Sequence, residues 1–487
     1  MHILIRNKKA LIGVLFFVLT IPALSQQERL IQAHYKAYCQ DTGIIIRQAD
    51  IQTYPYAVYV ENLQEFLPVF INENPDDLEK YLSHFKDRKK RILEMKEGEM
   101  QRFALAEMYF HTSLAHLKFG NYTSAAHLLR KSYDLHETNY NKNPKFKGSY
   151  KTLSIIDLVA GQVPSQFQWA VHLVGIKADE KRASRLLKRL WKEEGVTFNG
   201  NVAREASYLY GMYRSAFLGE AGLALDELER YYSDNRVNLS SAFFKANLAQ
   251  HAHRNDEVIR VIESAPKVGK NTIPTLELML GEAYLNKLDK RAEVHIKKYI
   301  RTYQGAHYIK DAYRKLSWHY YVQGDKISGF SYQKKIQKVG KASTELDQQA
   351  EEYSKQIMPH PTLLKARLLF DGGYYERARN LMKYEQVSNF ETSLYKTEYC
   401  YRKGRIYFEL QDTTLSRMYF QAAIPLGKDL SVYYASYSAL YLGEIYLLQG
   451  KKKQAETYFR MARSFSANRE YRNSIEIKSK AGEKRCK

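Results

Sequence analysis

One short pattern of small and aromatic residues recurs along this chain and restricts its fold more than any other feature. Near the C-terminus it reads Leu442-Gly443, Tyr446, Gly450, Ala455, Phe459 and Ala462. The preceding segment carries Gly404, Tyr407, Phe420 and Ala423 at the same offsets. Earlier copies are Leu316-Ser317, Tyr320 and Gly324, and Leu280-Gly281, Tyr284 and Ala292. Fainter ones centre on Gly120-Asn121-Tyr122 with Ala125 and on Gly373 with Tyr375 and Ala378. Gly281 and Ser317 lie 36 residues apart, and Gly404 and Gly443 lie 39 apart. From about residue 75 onward, apolar residues recur at the three- and four-residue steps of helices with one buried face. A repeat of this length holds two helices of about 12 to 14 residues and two short turns.

The expected packing follows from side-chain size. Leu442 and Tyr446 sit four positions apart on one helix face, beside Gly443, where a missing side chain lets a second helix approach closely. Ala455 is expected to supply the matching small surface, with Phe459 and Ala462 packing toward the next pair. A single pair leaves an apolar face uncovered, so neighbours must stack. The chain is therefore expected to be all-α, an α-solenoid of stacked antiparallel helix pairs. The spacing resembles the tetratricopeptide repeat, whose pattern runs L-G-x2-Y and then Ala, Phe and Ala. The 442–462 copy matches all six positions, although Ala439 and Ala467 stand where the family has tryptophan and proline. The 404–423 copy has Lys403 for leucine and Ser416 for alanine, and the 280–292 copy has a shortened turn. The resemblance covers residues 100–467 and implies a TPR-like superhelix that binds other proteins on its inner face.

With 25 glycines and 11 prolines in 487 residues, collagen-like, linker-rich and turn-dense β architectures are disfavoured. Residues 26–98 read as an N-terminal cap, with Tyr54 to Val60 extended at its start and a helix beginning at Asn74-Pro75-Asp76-Asp77. Repeats are expected over 99–357 and again over 358–470. Asn139 to Gly148 reads as a long loop around Pro144. Met358-Pro359-His360-Pro361 is the clearest internal break, because residues before proline disfavour helix, and is read as a connection between two helices. Residues 471–487 read as a mobile basic tail.

The first 25 residues resemble an export signal. Arg6, Lys8 and Lys9 precede an apolar stretch from Leu11 to Leu24, and Ala23 and Ser25 flank a plausible cut before Gln26. That stretch is short for a membrane span. The expected location is therefore periplasmic or otherwise in the cell envelope, as a soluble protein after cleavage. Net charge is +22, or +19 without the leader. Such an excess favours acidic protein partners, anionic polysaccharide or a lipid surface, while nucleic acid is not expected after export. Cys39, Cys400 and Cys486 fit no zinc or redox spacing, and Cys39 and Cys400 are expected unpaired in helical packing.

No catalytic motif emerges. There is no HExxH, P-loop, dinucleotide fingerprint or G-x-S-x-G elbow. His251 and His253 fall on different helix faces, and His111 and His116 are poorly spaced for one metal. No enzyme activity, cofactor or metal is expected. In the family that the chain resembles, first helices line the binding surface, which makes Arg314, Trp318 and Tyr321 in one unit, and Tyr401, Arg402 and Arg405 in a later one, the groove candidates. Arginine and aromatic residues are common interface anchors, although Trp318 and Tyr321 could equally pack between helices. The 40 tyrosines extend both readings. Their rings either fill helix interfaces or face sugars in a polysaccharide groove. The leading functional expectation is an exported scaffold for protein interaction or assembly, and the alternative is a carbohydrate- or polyanion-binding envelope protein that uses the concave groove.

Overall fold

The structure is a computed structural model that describes residues 25–39, 44, 46–162, 175–231, 238–266, 273–465 and 471–487. Among these residues every regular element is helical. The chain divides into two compact units. The first holds the described residues up to Tyr213 apart from 71–74, and the second holds 71–74 and everything from Arg214 onward. The export segment lies outside the described residues except for Ser25.

The first unit comprises α1 (Gln26–Cys39), α2 (Gln48–Thr53), α3 (Pro55–Asn72), α4 (Pro75–Glu94), α5 (Glu99–Lys118), α6 (Tyr122–Lys142), α7 (Tyr150–Gln162), α8 (Glu180–Leu190) and α9 (Phe198–Tyr213). The stretch expected to be extended is helical: Tyr54 alone has extended angles, and Pro55 opens α3. Tyr56, Ala57, Val58, Tyr59 and Val60 are all buried. A helix covered on every side reads in sequence like a buried strand. Likewise α6 runs on to Lys142, so the expected loop at 139–148 is short and ends in a single 3-10 turn at Lys147–Ser149.

Charge lies at the centre of this unit. Lys151 on α7 is 1% exposed and bridges two carboxylates, Glu107 on α5 at 2.8 Å and Glu205 on α9 at 2.5 Å. Thr152 donates to Glu107 at 2.6 Å, and Tyr59 donates to Glu205 at 3.1 Å. His34 on α1 stands 2.5 Å from Glu205 through Nε2 and 2.8 Å from Tyr56 through Nδ1. Burial alone would raise both carboxyls, but Lys151 and the neighbouring histidines, His136 and His111 at Glu107 and His34 at Glu205, together outweigh it. Glu107 is held well below the usual range, and Glu205, with help from His34, lies at about 2. A buried ion network is tolerated only when each charge meets an opposite charge and hydrogen bonds. Here those partners come from α1, α3, α5, α7 and α9, so the network also ties distant segments together.

The second unit comprises α10 (Ala221–Tyr231), α11 (Leu239–His251), α12 (Asn255–Glu263), α13 (Pro274–Asn286), α14 (Ala292–Thr302), α15 (Ile309–Val322), α16 (Lys326–Lys335), α17 (Glu345–Tyr353), α18 (Pro361–Asp371), α19 (Tyr375–Leu381), α20 (Ser393–Glu409), α21 (Thr413–Gly427), α22 (Tyr434–Leu448), α23 (Lys452–Ser464) and α24 (Arg472–Cys486). Within each unit, successive helices pair as antiparallel hairpins that pack on their neighbours.

The hairpins turn in one way. In α5/α6, α11/α12, α13/α14, α15/α16, α18/α19, α20/α21 and α22/α23, the first helix ends on a residue of positive φ. These are Gly120, His253, Leu288, Gly324, Gly373, Gln411 and Gly450. The next residue's N–H returns to the carbonyl five positions back, as from Asp289 to Tyr284 at 2.8 Å and from Lys451 to Tyr446 at 2.9 Å. This is the Schellman end, in which a left-handed residue lets the last carbonyls of the helix be satisfied.

Beyond the turn the helices touch at the small residues, though not quite as expected. A Cβ on Gly443 would stand 2.6 Å from the Phe459 ring, and one on Gly404 would stand 2.6 Å from Phe420. The phenylalanine of the second helix therefore covers the glycine within its own pair, as well as meeting the next unit. Phe459 is fully buried, with Gly443 against it from α22 and Gly482 from α24. Where position 443 has Gly, Ser317 and Ser113 use their hydroxyls to donate across the pair, to Gly329 O at 2.8 Å and Ala125 O at 2.7 Å.

The connection expected at 358–361 is present, whereas the expected tail is not a tail. Residues 358–361 join helices of one core, since Met358 packs in a cluster with Trp318, Leu364 and Leu368. The division between units falls after Tyr213. The expected basic tail at 471–487 is helix α24, with Ile475 and Ser479 fully buried. Cys39 and Cys400 are buried, as expected, and among the described residues no cysteine forms a disulfide.

Two outcomes follow. Gly443→Ala pushes a methyl into an enclosed ring and lowers stability by about 1–3 kcal/mol. Chemical denaturation measures this loss, and Phe459→Leu in the same chain restores part of it. The first unit is acid-labile. Loss of hydration pushes the His111 imidazole down to about 4 from 6.5, so it stays neutral when folded and its contribution fades as pH falls below 6.5. Glu205, lowered from 4.5 to about 2, contributes fully above 4.5 and loses that contribution as pH falls further. Melting temperature followed from pH 7 to pH 4 should therefore drop, and His111→Phe should flatten the upper part of that drop.

Candidate functional site

The first helices α18, α20, α22 and α24 follow one another in the second unit, and residues one repeat apart occupy equivalent places on them. The 39-residue offset that carries Gly404 onto Gly443 carries Arg402 onto Tyr441, and Arg405, Tyr437 and Lys478 lie beside them. Together with Arg367, Phe370 and Asp371 of α18 they line a pocket of about 350 Å³, which Tyr401, Tyr433, Tyr471 and His253 complete. Its size sits at the lower end of the roughly 300–1,000 Å³ typical of ligand pockets.

Three arginines give the pocket its character. Arg402 is 5% exposed and donates Nε and Nη2 to Glu398, at 3.1 and 2.9 Å. Arg405 lies against two rings, its guanidinium carbon 4.4 Å from the centre of Phe370 and 4.5 Å from that of Tyr441. Its Nη1 donates to Tyr401 Oη at 3.0 Å. Arg367 stands over Trp318 at 5.0 Å, and its Nε is 3.6 Å from Asp371. Guanidinium planes stack well on aromatic faces while keeping their edge donors available, which lysine does not do. Lys478 on α24 adds a fourth cation, 5.5 Å from the Tyr437 ring. Loss of hydration, and next the Arg405 charge, pull its pKa below the usual lysine range.

The tyrosines form the wall. Tyr433 is within 6 Å of Tyr401, Tyr434, Tyr437 and Tyr471, mostly edge to face. Tyr437 hydrogen-bonds Ser474 at 3.1 Å, and desolvation pushes its phenol up to about 12, so the hydroxyl remains protonated. Rings in this arrangement contribute apolar area and hydroxyl groups at one surface.

The six groove candidates separate into three places. Tyr401, Arg402 and Arg405 all line the pocket. Arg314 and Trp318 are buried beside it, Arg314 paired with Asp311 and 4.8 Å from the Trp318 ring, and Arg367 connects that indole to the pocket. Tyr321 is not in the pocket. It packs on the α15/α16 hairpin against Phe330. Arg367, Tyr433, Tyr437, Tyr441, Tyr471 and Lys478 were not singled out from sequence. Of these, the 39-residue repeat offset reaches only Tyr441, the counterpart of Arg402.

The charged core of the first unit is chemically rich but closed. Glu107, Lys151 and His34 are at most 1% exposed, and their charges are satisfied by one another. Among the described residues no group of histidine, cysteine and acidic side chains is arranged to hold a metal.

Residues 397–426, which span most of α20 and α21, match the family model described as tetratricopeptide repeat. No curated protein sequence matches the chain. Solved structures similar to it include one titled as the APC/C hetero-tetramer Cut9-Hcn1, at 12% identity over 93% of this chain and 89% of that one, with a TM-score of 0.27. The human IFIT1 dimer with PPP-AAAA is similar at 12% identity over 93% and 97%, with a TM-score of 0.31. An IFIT1 monomeric mutant with Gppp-AAAA is similar at 10% identity over 92% and 97%, with a TM-score of 0.26.

The Arg402–Glu398 pair yields a prediction of its own. Glu398→Ala leaves a buried guanidinium without its carboxylate and should lower the stability of the second unit by about 3 kcal/mol. Urea denaturation checks this, and the double variant Glu398→Ala with Arg402→Leu should recover part of the loss.

Proposed function

We propose that the chain, whose residues 397–426 match the tetratricopeptide-repeat model, serves as a non-catalytic scaffold whose partner docks on the face formed by α18, α20, α22 and α24. The observation that carries this reading is the pocket itself. Three arginines and a lysine from three helices meet five tyrosines in one cleft. Arginine and tyrosine are the residues most enriched among binding hot spots, where a ring supplies area and a guanidinium supplies directed hydrogen bonds. The sign of the charge favours an acidic segment of a partner protein.

We further propose that scaffolding takes place in the cell envelope after export. The leader-like residues 1–25 and the net charge of +22 support this reading. No helix among the described residues is long and apolar enough to cross a membrane. Catalysis is set aside because the buried ionisable groups around Lys151 are sealed from any substrate.

A photo-crosslinking amino acid in place of Tyr437 tests the docking face. In cells of the source organism, it should give a discrete protein adduct that Arg405→Glu abolishes, whereas the same group at exposed Tyr384 gives none. Adducts of equal yield from both sites would refute the reading, and an adduct made only of polysaccharide would replace it with the polyanion alternative.

A further inference from the structure

We infer that the arginine–tyrosine pocket of the second unit is a binding subsite for a dianionic phosphoryl group. The inference rests on the proposed docking reading only in using the same pocket. It names the chemistry of the group anchored there.

The pocket has more hydrogen-bond donors than acceptors. Arg402 spends Nε and Nη2 on Glu398, and its Nη1 has no acceptor among the described residues. Arg405 Nε is buried without a hydrogen-bond partner. Arg367 reaches Asp371 only at 3.6 Å, beyond hydrogen-bond length, and otherwise stacks on Trp318. Lys478 has only a ring beneath it and no carboxylate within ion-pair distance among the described residues. Asp371 is the one carboxylate in the lining, against four cations. Buried donors left unpaired are costly, so an occupant that brings several acceptors is favoured.

Geometry selects the kind of acceptor. The donors come from α18, α20 and α24, so they approach from different directions. A carboxylate is planar, and two parallel bonds from one guanidinium satisfy it. A phosphoryl group offers three strong acceptor oxygens in three directions and carries nearly two charges above its second pKa of about 6. The surrounding rings lower the polarity of the cleft walls, which strengthens each charged hydrogen bond.

Isothermal titration of the full chain with inorganic phosphate, phenyl phosphate, dihexanoyl phosphatidate and benzoate tests this. At least one phosphate probe should bind about tenfold or more tightly than benzoate, the difference expected from one further charged hydrogen bond. Affinity should rise from about pH 5 to about pH 7.5 as the second proton leaves the phosphate. Arg367→Gln and Lys478→Gln, which disturb no side-chain hydrogen bond among the described residues, should each weaken binding by about tenfold while melting temperature stays unchanged. Equal affinity for inorganic phosphate and the esters identifies the free ion as sufficient. Tighter binding of phenyl phosphate assigns the organic part to the tyrosine wall, and tighter binding of phosphatidate identifies a lipid headgroup. The inference is overturned if no phosphate probe surpasses benzoate, or if both glutamine variants bind as the parent does. A Tyr437 adduct that persists in that case leaves the docking reading standing, whereas phosphate binding without any adduct would remove the docking reading alone.

Discussion

A phenylalanine ring laid on a glycine sets the spacing of the C-terminal helices. Gly404 under Phe420 and Gly443 under Phe459 leave no room for even one added carbon. Backbones at that separation bury the ring completely, and dense interiors hold such contacts because neighbouring side chains have nowhere to move. Since Phe459 is also pressed by Gly482, one ring fixes both its own pair and the next helix. Regular stacking of α20, α22 and α24 follows from these contacts, and so does the pocket. Residues one repeat apart can meet around a shared cleft only if the helices that carry them keep a constant offset.

The two units solve the problem of a large helical core differently. The second relies on small-to-large contacts and a repeated turn. The first places Lys151 between two glutamates and surrounds them with histidine, tyrosine and threonine from helices far apart in the chain. Replacing such a network with apolar residues is often neutral or stabilising, so its presence is weak evidence for stability alone. Its physical effect is selectivity of pairing: Glu205 satisfies His34 and Lys151 together only when α1, α7 and α9 are correctly assembled.

Much of the second unit was legible because its contacts are local. Gly443, Phe459 and Ala462 mark one hairpin in 20 residues of sequence, and a glycine announces four of the seven turns. The other three turns were hidden because His253, Leu288 and Gln411 adopt positive φ despite a cost of about 1 kcal/mol each. Tyr401, Arg402 and Arg405 were found because first helices line the binding surface in the family that the chain resembles. Arg367 and Lys478 were not, since no strong copy of the repeat pattern covers Arg367 and 471–487 was read as a tail. The first unit's core was beyond reach for another reason. His34 and Glu205 are 171 residues apart, and nothing in the spacing of either predicts their meeting.

The most direct test of the account is amide hydrogen exchange at the seven hairpin turns, read at single-residue resolution. The deciding amides are those of Arg254, Asp289 and Asp412, which follow the three left-handed residues that are not glycine and bond to Ala249, Tyr284 and Tyr407. The account predicts that these three exchange as slowly as those of Asp325, Tyr374 and Lys451, which follow glycine. Exchange at the rate of an open loop would mean that those hairpins do not share the common turn, and would contradict the regular stack on which the pocket depends.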